Sequence, residues 1–415
     1  MAPRGKLAQI GNFTGPVKST FWSKFAWLAC DDELVEAPLI REAHLLEQGI
    51  QALRDLLGQE WQVTQRPNKT KVFDASLEVK AEGDSVLTQM LVEATQAVAP
   101  RFVMDQLVPK AQLLREVHHY TNLLVIAPWI SSQARELLRQ NGIAYLDLTG
   151  NVDIRVPRPA IIIHTVGAQK APRSAPREAS RTTLAGVKAG RLVRLLADVP
   201  PPHRATDLHR TSTLSLPYVS RLLDTLEDQL LIRREGRIIT DVDWAQLLRA
   251  RARETSLLSH GSYRGFLAPN GVPALLQQIA QLPKAYDGGL AAIDGLSVTG
   301  SYAAQRFVQI AVGGQLMLYV ASWLNVDDAA DELGLLPVAE GADVLLLNEP
   351  DSFVRRRSEF VDGVQYVAPS QAALDCLAGP GRMPAEGEAL LDFMEAYPDE
   401  WRASENDVWA RPVQH

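Results

Sequence analysis

The chain has 415 residues, of which 46% are hydrophobic and 22% are charged, and its formal net charge is −7. This length leaves room for two or three domains with separate cores, and the composition is typical of globular proteins. The sequence has no apolar run near the roughly 20 residues of a membrane-spanning helix, and it begins without the apolar core of a signal peptide. Its two cysteines, Cys30 and Cys376, are too far apart in sequence for a zinc or redox motif. We therefore predict a cytoplasmic protein that has no membrane contact and needs no cofactor.

Residues 1–166 have the alternating pattern of an α/β domain. Helical stretches near 39–57, 102–119 and 132–139 separate short apolar runs that predict strands. The order α-β-β-β-α-β-α-β, followed by two more strands, indicates a layered α/β fold. This order resembles that of restriction-endonuclease-like folds, so we predict a nuclease-like α/β domain.

Three positions of this domain bear on catalysis. Restriction-endonuclease-like enzymes take an aspartate from one strand and a Glu-x-Lys motif from the next, to hold Mg²⁺ and to support the nucleophilic water. Asp74 lies in the second predicted strand and Glu93 near the end of the third, but the position two after Glu93 is Thr95. A second Glu-x-Lys, at 78–80, has no evident aspartate partner. We predict an inactive relative without a metal site, and the alternative is a Mg²⁺-dependent nuclease that uses Asp74 and Glu93.

The distribution of charge separates the middle of the chain from its two ends. Residues 1–167 carry a net charge of −1, and residues 254–415 carry −13. Residues 168–253 carry 16 basic and 9 acidic side chains, which gives +7. The basic, proline-containing stretch 167–183 predicts an interdomain linker. Because a DNA-binding protein must neutralise phosphates, the excess favours a DNA-binding segment at 168–253, and the acidic end should be repelled by DNA and face elsewhere.

Residues 184–253 have the pattern of a winged helix-turn-helix. A leucine-rich helix is followed by a proline-rich break, a short second helix and a third helix that Ser215 can cap. Two strand-like runs around a Glu-Gly turn then predict a basic hairpin, the wing. A winged helix places its third helix in the major groove of DNA, and dimers bind two half-sites. We therefore predict that double-stranded DNA is the partner and that the chain acts as a homodimer.

The DNA contacts are expected at the start of the third helix and on the wing. Arginine can make a bidentate contact to guanine, and hydroxyl groups can reach bases or phosphates. The wing arginines suit phosphates or the minor groove. A winged helix can also serve to pair proteins, but the charge distribution favours DNA. The predicted DNA-binding residues are Arg204, Ser215, Tyr218, Ser220, Arg221, Arg233, Arg234 and Arg237.

Residues 254–415 predict a second, acidic α/β domain. Gly300 and Ser301 stand between a short strand and a helix, which resembles the phosphate-binding opening of nucleotidyltransferase folds. Those enzymes also need paired acidic residues on the next strand, and that strand, residues 316–320, carries none. We predict a degenerate nucleotidyltransferase-like domain that binds a ligand or a protein partner instead of catalysing transfer.

Three stretches, which together span most of residues 70–400, carry a family resemblance. They are 123–156, with the phrase GIAYLDLTGN at 142–151, then the winged helix, and then 370–390. They resemble the abortive-infection antitoxins of type IV toxin–antitoxin systems, the AbiEi-like family, and larger bacterial regulators related to it. The resemblance implies a bacterial DNA-binding transcriptional regulator. The small antitoxins of that family lack the N-terminal α/β domain.

The sequence as a whole predicts a transcriptional regulator that is associated with the nucleoid and is not an enzyme. It has three parts, a nuclease-like domain at 1–166, a winged helix at 184–253 and an acidic domain at 254–415. Two alternatives stay open at this point. One is the Mg²⁺-dependent nuclease, and the other is an antitoxin that neutralises a partner toxin through the acidic domain.

Overall fold

A computed structural model describes residues 42–66, 72–117, 121–169, 172, 183–259, 262–282, 295–308 and 314–403. The chain divides into two compact units, Met1–Ala179 and Ser180–His415, and the division falls within the predicted linker. Cys30 and residues 173–182 of that linker lie outside the described residues. No helix in the described part of the chain combines the length and apolar character that crossing a bilayer requires.

The first unit is a seven-stranded sheet flanked by helices, and it confirms the mixed α/β class. Its strands lie side by side in chain order. The third, fourth and fifth strands are parallel, and the other neighbours are antiparallel. The elements are α1 (Glu42–Leu57), β1 (Trp61–Arg66), β2 (Ala75–Ala81), β3 (Leu87–Ala94), α2 (Pro100–Phe102), a π-helical stretch (Val103–Leu107), α3 (Val108–Val117), β4 (Thr121–Ala127), α4 (Ser132–Gln140), β5 (Ala144–Asp147), β6 (Val152–Val156) and β7 (Ile161–Thr165).

The central strand β4 is apolar because both faces of the sheet are covered. Alternate residues of a strand point to opposite faces. Ile126 belongs to the core that includes Leu53 of α1. Val125 belongs to a second core, on the opposite face, that includes Leu107 of the π-helical stretch and Leu138 of α4. A restriction-endonuclease-like identity for this unit stays a prediction.

The second unit contains the predicted helix-turn-helix and a second seven-stranded sheet. Its elements are α5 (Val187–Asp198), β8 (His203–Arg204), α6 (Ala205–Ser212), α7 (Leu216–Asp228), β9 (Ile232–Glu235), β10 (Ile238–Val242), α8 (Trp244–Glu254), β11 (Tyr263–Leu267), α9 (Val272–Ala280), β12 (Leu296–Thr299), α10 (Ser301–Ala304), β13 (Leu316–Val320), α11 (Val326–Glu332), β14 (Leu336–Pro337), β15 (Val344–Asn348), β16 (Glu359–Val361), β17 (Val364–Tyr366), α12 (Pro369–Leu377) and α13 (Met383–Ala396).

The helix-turn-helix region forms where the sequence pattern predicts it. The apolar stripe of α7, which includes Val219, Leu222 and Leu226, is fully buried against the neighbouring helices. β9 and β10 form an antiparallel hairpin, and the turn between them uses Gly236 at φ +63. β8 adds a third strand on the other side of β10.

The helix-turn-helix region and the C-terminal sheet share one hydrophobic core. Leu192 of α5, Leu247 of α8, and Leu374 and Cys376 of α12 belong to a single cluster of buried side chains. The sheet has the order β14-β11-β15-β13-β12-β17-β16. Strand β13 lies in the middle of this order, and all of its residues are buried. The segments predicted as separate domains at 184–253 and 254–415 are therefore packed as one unit.

The segment that resembles a nucleotidyltransferase opening is short and internally paired. Gly300 (φ +64) stands between β12 and α10, but α10 has only four residues. The Ser301 hydroxyl donates a hydrogen bond to the buried Glu386 carboxylate. β13 brings a tyrosine, Tyr319, whose hydroxyl donates to Asp375. A nucleotidyltransferase-like identity stays a prediction.

Candidate nucleic-acid interface

The turn between α6 and α7 sets the start of the third helix. Helix α6 ends at Thr213, which adopts the left-handed conformation at φ +58. The Arg191 guanidinium of α5 donates hydrogen bonds to the Ser212 carbonyl (3.2 Å) and the Thr213 hydroxyl (2.7 Å), and so fixes the turn. Ser215 is the N-cap of α7, as predicted, but its side chain makes no capping hydrogen bond. The exposed Ser215 hydroxyl at this helix start therefore stands at the surface.

The four residues predicted on α7 differ in exposure. Arg221 and Ser215 are exposed, Ser220 is half-buried, and Tyr218 is half-buried against the core of the unit. Burial raises the pKa of the Tyr218 hydroxyl above its usual range. The accessible side chains of the first turns are therefore chiefly Ser215 and Arg221.

Three further predicted arginines are exposed on and beside the hairpin. Arg233 lies on β9, and Arg237 lies in the turn that leads to β10. Arg204, the N-cap of α6, pairs in register with Ile238 of β10 and so lies next to the hairpin. Neither these three nor Arg221 forms an ion pair with another residue in the described part of the chain. Their charges are therefore available to an anionic partner.

Arg234 differs from the other predicted arginines because it is engaged within the chain. Its Nε donates to the Glu227 carboxylate (2.9 Å), and its Nη2 donates to Asp224 Oδ1 (2.7 Å). Both carboxylates lie on the second half of α7, so Arg234 offsets part of the negative charge of that half. The sequence placed Arg234 correctly on the hairpin but could not reveal these partners.

One exposed cation beside the turn was missed at the sequence level. Arg210 lies in the last turn of α6 and its side chain is 80% exposed, with only a 3.7 Å contact to Asp207. A basic residue in the last turn before the recognition helix is the signal that could have identified it. Arg210 adds a positive charge close to the start of α7.

In the first unit, the structure places a lysine beside one of the two predicted carboxylates. Asp74 comes directly before β2, and its Oδ2 accepts a hydrogen bond from the Ala94 amide (2.7 Å). Glu93 of β3 accepts from Lys110 Nζ at 3.0 and 2.9 Å, and Lys110 comes from α3. The sequence analysis looked for a lysine at position 95, two residues after Glu93, whereas the lysine that contacts Glu93 comes from α3. Among the described residues, however, no three His, Cys, Asp or Glu side chains are grouped to hold a metal ion.

Comparisons with known proteins assign the helix-turn-helix. Residues 187–236, from α5 to the turn of the hairpin, match the family described as the IclR helix-turn-helix domain. No curated protein matches the chain. A solved structure described as EndoMS in apo form shares 17% sequence identity over 27% of this chain, with a TM-score of 0.20. The match spans 47% of that structure's chain, about half its length.

The domain match supports part of what the sequence predicted. It lies within the basic segment 168–253 and includes the exposed arginines of α7 and β9. Membership of the AbiEi-like family stays a prediction. The middle of the chain is an IclR-type helix-turn-helix domain, and this domain supports a DNA-binding regulator.

Proposed function

We propose that the protein is a sequence-specific transcriptional regulator, and that it reads double-stranded DNA with the first turns of α7 and with the β9–β10 hairpin. The observation that carries this proposal is a set of exposed arginines without ion pairs in the described part of the chain, three of them within the matched helix-turn-helix domain and the fourth, Arg237, one residue beyond it. They are cations held on an ordered scaffold, which is what binding to a phosphate backbone requires.

The charges along α7 give the helix a direction on DNA. Its exposed start carries Ser215 and Arg221, whereas its second half carries Asp224, Glu227 and Asp228. A duplex would attract the first half and repel the second, so α7 enters the major groove by its N-terminal end. Arg221 then contacts base edges, and Arg233 and Arg237 contact phosphates or the minor groove.

The proposed regulator binds as a homodimer and has no catalytic activity of its own. One helix-turn-helix module contacts a single half-site, and two modules related by symmetry add the contacts that specific binding at cellular salt requires. The first unit then serves binding of DNA or of a partner instead of cleavage.

The test of this function begins by selecting a bound sequence from a random DNA pool and measuring affinity for it by fluorescence anisotropy. Arg221→Ala should weaken binding by about 1–3 kcal/mol and relax the preference at one base position, because it removes a base contact. Arg264→Ala is a matched control, since Arg264 lies on β11 and is paired with Asp327. Unchanged affinity in both Arg221→Ala and Arg237→Ala would contradict the proposed interface.

The nuclease alternative has one observation in its favour, the contact between Lys110 and Glu93. In a restriction-endonuclease-like enzyme, a lysine near the metal-binding carboxylates supports the nucleophilic water. The fit is incomplete, because Lys110 already engages both oxygens of Glu93, and no three His, Cys, Asp or Glu side chains in the described part of the chain are grouped to hold a metal ion. This donor set does not support a metal-dependent step.

An assay of supercoiled plasmid with Mg²⁺ or Mn²⁺ separates the nuclease from the regulator. The regulator proposal expects no cleavage. Cleavage that is lost in both Asp74→Asn and Lys110→Met, and is retained in Lys80→Met, would assign the nuclease instead. Lys80 is a suitable control because it belongs to the other Glu-x-Lys of the same sheet.

A further inference from the structure

A cavity of about 380 Å³ lies between the helix-turn-helix region and the C-terminal sheet. Its walls come from α5 and α8 on one side, and from β13, β15 and α12 on the other. Ligand sites in proteins have volumes of about 300–1,000 Å³ and combine apolar walls with a few polar groups. The cavity has the size of a site for a small organic molecule.

One wall of the cavity carries buried guanidinium groups with unused donors. Arg194 is 2% exposed, and its Nε has no acceptor among the described residues. Within the described part of the chain, Arg251 donates hydrogen bonds to the carbonyls of Leu184 and Gly186, and its Nε is buried without an acceptor. Burial lowers the pKa of Arg251, as expected for a cation withdrawn from water. Both guanidinium groups belong to the lining of the cavity, so they place two cations that are withdrawn from water beside the space that a ligand would fill.

The sequence of α5 makes room for the Arg251 guanidinium. A side chain at Gly190 would collide with Arg251, because a Cβ built there would lie 2.9 Å from the Arg251 Cζ. Helix interiors disfavour glycine by roughly 1 kcal/mol relative to alanine, so this glycine has a conformational cost that the approach of the arginine explains. The cation is thereby brought against α5 and into the lining of the cavity.

The acidic groups of the cavity are already engaged. Asp351 pairs with Arg191 at 2.7 Å, and Glu254 accepts hydrogen bonds from the Thr183 hydroxyl and the Leu184 amide. Asp375 accepts hydrogen bonds from three neutral donors, Thr299, Gln371 and Tyr319. These three carboxylates have partners of their own, and none of them is paired with Arg251, which forms no ion pair with another residue in the described part of the chain.

We propose that this cavity binds a small organic anion. Its carboxylate or phosphate group accepts hydrogen bonds from Arg194 and Arg251, since arginine presents paired donors that match both groups. The apolar part of the ligand lies against Leu347, Phe353 and Leu374, which line the same cavity.

The proposed site is linked to the helix-turn-helix by Arg191, and this link rests on the proposed DNA-binding function. Arg191 lines the cavity and joins Asp351 of the C-terminal region to Ser212 and Thr213 at the turn before α7. An anion in the cavity competes with Asp351 for this guanidinium. Binding of the ligand would therefore change how the turn is held, and with it the affinity for DNA.

Binding is tested by calorimetry on the full chain with three probes that share one ring, benzoate, phenyl phosphate and benzamide. The two anions distinguish a carboxylate from a phosphate ligand, and benzamide has the shape of benzoate without the charge. We expect at least one anion to bind about 10-fold to 100-fold more tightly than benzamide. Failure of both anions to bind at millimolar concentration, or equal binding of the three probes, would overturn the proposal.

Two variants locate the binding in the cavity. Arg251→Met removes the cation and should abolish the preference for an anion. Because Arg251 also holds the start of α5, the second variant, Ala378→Phe, leaves the arginines in place and fills the space beside them. Its matched control is Ala396→Phe, at the exposed end of α13. Retention of anion binding in Ala378→Phe would overturn the assignment to this cavity.

The link to DNA is tested separately by repeating the anisotropy measurement with the bound anion present. We expect a change in DNA affinity of about 5-fold to 150-fold, the usual range for coupled sites. Anion binding without any change in DNA affinity would overturn the link to DNA but not the proposed anion site. A protein that binds the anion but no DNA would refute the proposed function and not the cavity.

Discussion

The arginines of the helix-turn-helix region fall into two groups with opposite environments. Arg221 and Arg237, on α7 and the hairpin, are exposed and have no ion pair in the described part of the chain. Arg191 and Arg249, on α5 and α8, pair with Asp351 and Glu388 of the C-terminal region. The net charge of +7 over 168–253 therefore overstates what can reach DNA, because only the outward-facing group is available to it.

The same comparison changes the role of the acidic C-terminal segment. Its charge of −13 was expected to be repelled by DNA and to face elsewhere. Part of it instead neutralises the inward faces of α5 and α8, and this pairing helps to pack the two segments as one unit. A basic segment beside an acidic one can thus be a packed interface on one face and a DNA-binding surface on the other.

The largest effect that would sharpen this comparison is expected at Arg194. Arg194→Met should lower the free energy of unfolding by about 3 kcal/mol, the lower end of the range for a broken buried ion pair, because it removes the nearer of two arginines that pair with the buried Asp198 carboxylate and leaves Arg357 at 3.7 Å. Urea denaturation measures the change. Arg253→Met, at an exposed position of α8, is the control and should stay within about 0.5 kcal/mol of the parent. If Arg194→Met lowers the free energy of unfolding no more than the control does, the arginines that face the C-terminal region are not required for stability.

The next effect is a pH dependence of stability that comes from Asp375, a buried residue of α12 in the lining of the cavity. Burial raises the pKa of Asp375 from 3.8 to about 6, although three hydrogen bonds favour its charged form. Between these two values the unfolded chain ionises first, so stability falls as the pH rises through the window. The loss is on the order of 3 kcal/mol and is complete above the folded pKa.

Asp375→Asn removes this titration. Urea denaturation at pH 4 and at pH 7 should show that the variant gains stability relative to the parent as the pH rises. A difference between variant and parent that is the same at both pH values would contradict a buried, neutral carboxyl at this position.

The sequence predicted local features well and long-range pairings poorly. The leucine spacing of α7 and the Glu-Gly turn of the hairpin are local patterns, and both formed as predicted. The contact of Lys110 with Glu93 joins residues 17 positions apart on a helix and a strand. Hydrophobic periodicity gives the buried face of each element but not the register between elements. The partner of a charged side chain therefore could not be predicted.

The cavity shows the same limit at a larger scale. Gly190 and Ala378 line one space although they are far apart in the sequence. Nothing in the pattern of α5 separates Arg194, which is buried, from a solvated arginine. What distinguishes it is the packing of α12 against α5, where the Gln371 side chain accepts a hydrogen bond from Arg194.

The smallest expected effect distinguishes two arginines of the same hairpin. Arg237→Ala should lower the slope of log affinity against log salt by about 1, because a single phosphate contact releases about one counterion. Arg234→Ala should leave that slope nearly unchanged, since Arg234 is engaged by Glu227 and Asp224. Anisotropy titrations over a series of salt concentrations measure both slopes. Equal reductions of the slope in the two variants would mean that Arg234 releases Glu227 and Asp224 when the protein binds DNA. The division into outward-facing and inward-facing arginines would then fail for the hairpin.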